Sequence, residues 1–166
     1  MKRAFVSAVA ALLTSVASTG NASGLCQPTE RVAFACVAGK KQVSLCATGD
    51  LEAAAGRLMY RFGQDASHVE LEFGGHANPK TVGFTFDYET WAKGASRTVG
   101  FKKGQFVYLV NHAAGAFGVD GGDNEASVRV LRGEKEVANI ACHEPSAIDH
   151  LYEELSRLGL RSAGAL

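Results

Sequence analysis

Period-two alternation is the feature that most limits what this chain can fold into. From Arg31 onward, apolar and polar residues alternate over short runs, and glycine-bearing turns interrupt them at regular intervals. That pattern belongs to half-buried strands, one face packed and the other wet. In "HVELEF", Val69, Leu71 and Phe73 fall on one face and Glu70 and Glu72 on the other; in "GFTFD", Phe84 and Phe86 fall together. The candidate strands are Arg31 to Val37, Gln42 to Ala47, Arg57 to Phe62, His68 to Phe73, Thr81 to Phe86, Arg97 to Lys102, Gln105 to His112, Ala126 to Leu131 and Val137 to Cys142. Turns such as "GQDAS", "KKG" and "RGEKE" are short enough for hairpins. A small antiparallel β-barrel or sandwich of eight to nine strands is therefore expected, and closure into a barrel would also remove exposed edges.

The tail follows another period. Ile148, Leu151, Tyr152, Leu155 and Leu158 recur at helical spacing, Ser146 with Asp149 fits a capping box, and Gly159 stands where a helix C-terminus ends. One amphipathic helix over residues 146–158 is expected, either covering the β core or docking to a partner.

At the other end, "MKRAFVSAVAALLTSVASTGNASG" places Lys2 and Arg3 before an apolar stretch and then small residues, the pattern of a cleaved secretory signal peptide over residues 1–22. The apolar run is shorter than the ~20 residues of a membrane span. Cleavage after Gly20 or Ala22 leaves a single domain over residues 23–166, exported to the periplasm or secreted. The whole chain holds 17 basic and 17 acidic residues. Without Lys2 and Arg3 it is slightly acidic, with no electrostatic drive toward nucleic acid or an anionic membrane.

Cys26, Cys36, Cys46 and Cys142 are even in number in an exported chain, so disulfides are expected. Strand parity narrows three pairings to one. Cys36 shares the inward face with Val32 and Phe34; Ile140 and Cys142 share the inward face of the last strand; Cys46 points outward with Ser44, opposite to Val43 and Leu45. Cys36 then pairs with Cys142, and Cys26 with Cys46. No C-x-x-C pair or histidine spacing suggests zinc. The acidic cluster of "VDGGDNE" departs from the order of a calcium loop and reads equally as a solvated turn. No nucleophile elbow, phosphate loop or His-Glu-x-x-His is present, so neither a catalytic residue nor a cofactor is assigned.

Two segments have the composition of a contact surface. "YETWAKGASR" brings together Tyr88, Trp91, Lys93, Ser96 and Arg97 between two strands, and Trp, Tyr and Arg are the residue types enriched at interface hot spots. The bland alternative is that Trp91 plugs one end of a barrel. "AAGAFGVDGGDNE", residues 113–125, reads as a long loop carrying Phe117, Asp120 and Asp123, and long loops are disproportionately functional.

"FAC" at Phe34 to Cys36, "FKKGQFVYL" at Phe101 to Leu109 and "NEASVRVLRGEKEVANIAC" at Asn124 to Cys142 resemble the membrane-bound and periplasmic inhibitors of c-type lysozyme. The stretch from Phe34 to Gly63 also resembles a broader set of exported bacterial β-barrel proteins. The resemblance implies a small barrel whose terminal cysteine is bridged to the first strand. It implies a protein partner, a lysozyme-like hydrolase or a toxin for which this chain is the immunity protein, whose cleft is occluded without chemistry. The family's Ser-Gly-x-x-Tyr loop corresponds here to "RTVGF", Arg97 to Phe101, which lacks the serine and the glycine and has Phe101 for the tyrosine. The alternative is a structural or envelope-associated protein with no enzyme target.

Overall fold

A computed structural model describes residues 24–116, 122–147 and 149–166. The expected signal peptide lies outside these residues. Nine antiparallel strands form one sheet: β1 (Arg31–Ala38), β2 (Lys41–Thr48), β3 (Arg57–Gly63), β4 (Val69–Gly74), β5 (Thr85–Trp91), β6 (Gly94–Lys103), β7 (Phe106–Ala116), β8 (Gly122–Arg132) and β9 (Lys135–Ala147). A one-turn helix, α1 (Pro79–Val82), joins β4 to β5, and α2 (Asp149–Arg157) follows β9. The spatial order is β4-β3-β2-β1-β9-β8-β7-β6-β5, so the first and last strands meet at the centre and β4 and β5 are the edges.

The ladder does not close, but the sheet curls until its ends touch through side chains. Phe73 on β4 stacks on Phe101 of β6 with centroids 4.4 Å apart, and Phe101 stacks on Tyr108 of β7 at 5.0 Å. These residues are far apart in strand order, so only a rolled sheet can bring them together. Phe84, from the β4–β5 connection, meets Phe73 edge-on at 5.1 Å and is 2% exposed. Each ring pair adds ~0.5–1.5 kcal/mol beyond area burial, which makes this cluster the aromatic centre of the core. The edges do not pair with each other but are covered, β5 through a single parallel bridge between Thr85 and Arg161. The chain after α2 lies along β5, where Phe86 N–H donates to Arg161 O and Ala163 N–H to Asp87 Oδ2. Lys103 Nζ reaches across from β6 to the carbonyl of Glu72 on β4 at 2.7 Å. Such covering removes the template that an open edge offers to another chain.

Hairpin turns gather at one end of the curl, where Gly104 (φ 62°) and Gly133 (φ 60°) supply the left-handed backbone that tight turns require. At the opposite end α2 buries Tyr152 and Leu155 against the core, and Glu154 takes both guanidinium nitrogens of Arg31 at 2.8 and 3.1 Å. The helix therefore covers an end of the β core.

Four details differ from the sequence expectations. The fifth strand starts at Thr85 rather than Thr81, because Asn78 caps a helical turn whose first residue is Pro79. The C-terminal helix starts at Asp149, not Ser146, since β9 runs to Ala147 and Ser146 pairs with Ala35 of β1. A bulge at Ala33 sets Val32 opposite Cys46 and Phe34 opposite Leu45, so Val32 leaves the face of Phe34 and Cys36. A bulge in β4 similarly moves Glu70 away from the face of Glu72, as described below.

Both disulfides form as parity dictates, Cys36–Cys142 and Cys26–Cys46. Cys46 does point away from the core, yet it is only 1% exposed. The segment from Gly24 to Glu30 lies over that outer face as a second small layer. Leu25 is fully buried there, and its N–H donates to Ser44 Oγ at 2.9 Å. Arg61 on β3 completes the layer: it pairs with Glu30 through two nitrogens, one at 2.9 Å, and with Glu72 at 2.9 Å.

Candidate partner-binding surface

"YETWAKGASR" is not a loop between strands; it is a hairpin, with Tyr88 opposite Arg97, Glu89 opposite Ser96, Thr90 opposite Ala95 and Trp91 opposite Gly94. Its sequence hides this, because Gly94, Ala95 and Ser96 carry too little side chain to show an alternation. Only the connection at Ala92 and Lys93 turns, and Lys93 is exposed there.

The second segment is also mostly strand. β7 continues to Ala116 and β8 begins at Gly122, with Ala113 opposite Glu125 and Gly115 opposite Asp123. Phe117 and Asp120 lie outside the described residues. β6 and β7 then join the two hairpins, through the pairs Gly94–Gly115, Ala95–Ala114 and Ser96–Ala113. Two segments singled out separately for their composition are thus one surface: the four-stranded end of β5 to β8, extending beyond the last β8–β9 pair, Ala126–Cys142.

Backbone contact fixes the residues at this junction. A Cβ on Gly94 would lie 2.6 Å from Ala114 O and 2.7 Å from the Trp91 ring, and one on Gly115 would lie 2.4 Å from the Gly94 Cα. Glycine is required at both positions, and its absence of side chain seats the indole directly on the backbone.

The strand end has two different faces. Tyr88, 53% exposed, and Arg97 share the face toward α2. The Arg97 guanidinium lies 5.5 Å from the Tyr88 ring and 5.1 Å from the Tyr152 ring. These three, with Phe86, Glu153 and Ser156, line a groove of about 260 Å³. Trp91, 37% exposed, is an odd number of residues from Tyr88 and takes the other face. Tyr88 and Trp91 therefore do not form one patch, and Trp91 does not plug a barrel end; Tyr152 of α2 is what enters it.

Behind the groove lies a residue that the sequence reading passed over. His112 on β7, opposite Arg97, is 5% exposed between Phe34, at 5.8 Å, and Tyr152, at 6.0 Å. Its inward parity with Tyr108 and Val110 was the available signal.

The resemblance to lysozyme inhibitors implies a cleft-entering loop at Arg97 to Phe101. Here that stretch is the middle of β6, and Val99 and Phe101 are 1% and 0% exposed. The stretch is therefore strand rather than loop, and of its residues Arg97 is the one that belongs to the β5–β6 hairpin end, opposite Tyr88. Cys26, Glu30 and Cys46 bring potential metal-ligand atoms close together, but the thiols are consumed by the disulfide and Glu30 by Arg61.

No protein-family model, no curated protein and no solved structure matches the chain. Two disulfides fit an oxidising, non-cytoplasmic compartment. Among the described residues no helix is long and apolar enough to cross a membrane.

Proposed function

We propose that this chain is an exported periplasmic binding protein that inserts the β5–β8 end into the cleft of a cell-wall hydrolase, as an inhibitor of a lysozyme-like enzyme or as an immunity protein against a toxin of that class. The observation that carries this reading is the joining of two contact-type segments into one extended strand end through Gly94 and Gly115. A blade with Tyr88 and Arg97 on one face and Trp91 on the other suits a cleft, whose walls would grip both faces, better than it suits a flat partner. Inhibition would then be occlusion, with no bond made or broken by this protein.

The alternative, an envelope protein that docks through its C-terminal helix, has less support. The side chains of α2 that would anchor a partner, Tyr152 and Leu155, are packed on the chain's own core.

Purified protein is titrated into peptidoglycan-clearing assays of c-type lysozyme and of secreted and periplasmic wall hydrolases. Inhibition of at least one is expected, with Trp91→Ala weakening it by about 30-fold, the equivalent of ~2 kcal/mol at a hot spot, and leaving the melting temperature unchanged. Failure to bind or inhibit any hydrolase in the panel, with a well-folded protein, would sink the proposal.

A further inference from the structure

At the turn end of the curl, opposite to α2, the interior is open. An apolar cup of about 310 Å³ is lined by Tyr60, Phe62, Phe106 and Tyr108, with aliphatic side chains of β4, β8 and β9 between them, and by a single charged residue, Glu70. That volume is twice the ~150 Å³ that accommodates a benzene ring, and barrel mouths are a common place for small-molecule sites.

Glu70 is present because of a fault in the ladder. Phe62 pairs with Leu71 and Gly63 with Val69, which leaves Glu70 as the extra residue of a bulge. Bulges re-aim side chains, and this one turns a carboxylate that simple alternation would send outside to the rim of the cup. The bulge is built into the sequence: a Cβ on Gly63 would stand 2.3 Å from His68 O.

A cation already sits there. Lys41 Nζ is 2.6 Å from Glu70 Oε2 and 5.0 Å from the centre of the Phe62 ring. The ammonium group thus takes a carboxylate on one side and an aromatic face on another, the two interactions by which aromatic cages recognise organic cations. Lys41 arrives from outside on a flexible, 41% exposed side chain, so another cation can replace it. The buried Tyr60 adds a polar atom. Burial and the neighbouring Tyr108 hold the phenol protonated well above its ordinary range.

We propose that this cup is a binding site for a small organic cation, a quaternary or primary ammonium carrying an apolar body, with Lys41 as the intramolecular group it displaces. The ammonium meets Glu70 and the Phe62 face, and the apolar body enters among Tyr60, Phe106 and Tyr108. The site lies at the end of the curl away from the proposed partner-binding blade and is independent of it.

Calorimetric titration of the whole protein with benzyltrimethylammonium, its neutral isostere neopentylbenzene and the anion benzenesulfonate tests this. The cation is expected to bind ~10-fold or more tightly than either, in keeping with a cation–π contact backed by a carboxylate. Glu70→Gln should weaken cation binding several-fold, and Lys41→Ala, which removes the competitor, should strengthen it several-fold. Both residues are partly exposed, so both variants should fold, and a thermal melt confirms it. Equal binding of cation and isostere, no binding of the cation, or a Lys41→Ala variant that binds the cation no better would each overturn the proposal.

Discussion

Replacing Arg61 by methionine is the sharpest test of how the outer layer is held. The Arg61 and Glu30 side chains are 7% and 11% exposed, and Glu30 accepts from Arg61 and from the Gln27 N–H. Methionine keeps the apolar stem but leaves the Glu30 carboxylate buried with one donor, and removes the donor to Leu25 O. Breaking a buried pair from one side costs ~3–5 kcal/mol. At ~2–4 °C per kcal/mol for a chain of this size, a loss of 3 kcal/mol lowers the melting temperature by ~6–12 °C. Acid narrows the contrast. Burial opposes ionisation of Glu30, but the bonds from Arg61 and Gln27 outweigh it and hold its carboxyl below the usual range. In the native protein this stabilisation is therefore complete above the ordinary carboxylate pKa of ~4.3 and is lost as the pH falls through the lower, folded value. In Arg61→Met only burial remains, so Glu30 takes a proton on acidification and sheds its penalty. Urea denaturation should show a gap of ~3 kcal/mol at pH 7 that narrows by pH 4. The double variant with Glu30→Leu should lose less than the two single losses combined. A gap under ~1 kcal/mol at pH 7, or one that does not narrow, would refute the reasoning.

Three further outcomes are expected. Serine replacement of the Cys36–Cys142 pair, which spans 106 residues, should cost more stability than that of Cys26–Cys46, which spans 20; chain entropy sets the difference at ~1.5 kcal/mol in denaturant midpoints under oxidising conditions. Gly94→Val should open the β6–β7 junction, seen as faster amide exchange at Ala114 and Gly115 and loss of hydrolase binding, with the global unfolding energy changed by less than ~1 kcal/mol. Tyr152→Ala should cost ~3–5 kcal/mol by emptying the plugged end of the curl, measured by chemical denaturation.

Strand existence was legible from Arg31 to Cys142 because one face of nearly every strand is packed, and packing imposes period two. The disulfides were legible for the same reason: Cys36 and Cys142 sit on strands that share an inner face, and the β1–β2 register runs unbroken from Phe34 to Cys36, although the β1–β9 register shifts between Ala35 and Val37. Parity failed where a strand gained a residue. The bulges at Ala33 and Glu70 each moved a side chain to the other face, and nothing in "RVAFAC" or "HVELEF" marks them except Gly63, which tolerates the second. The candidate surface was half legible. Tyr88, Trp91 and Arg97 have the composition of a contact surface, but the small residues Gly94, Ala95 and Ser96 show no alternation and so conceal the hairpin that carries them.

The same bulge logic ties the open sheet to its two candidate sites. A barrel fully closed by hydrogen bonds would need β4 to pair with β5, yet the connection through α1 delivers Phe84 between them, and Phe73 and Phe101 stack behind it. Aromatic contact substitutes for the missing ladder, and it is concentrated around Phe101. Toward the turns that filling thins, Tyr60 and Tyr108 remain as walls, and the Glu70 bulge brings a carboxylate to the rim. Toward the helix, β5 to β8 run on after the ladder to β9 has ended, and Gly94 and Gly115 let β6 and β7 approach closely there. Both sites therefore arise where the strands outrun the aromatic centre, one as a cup and one as a blade.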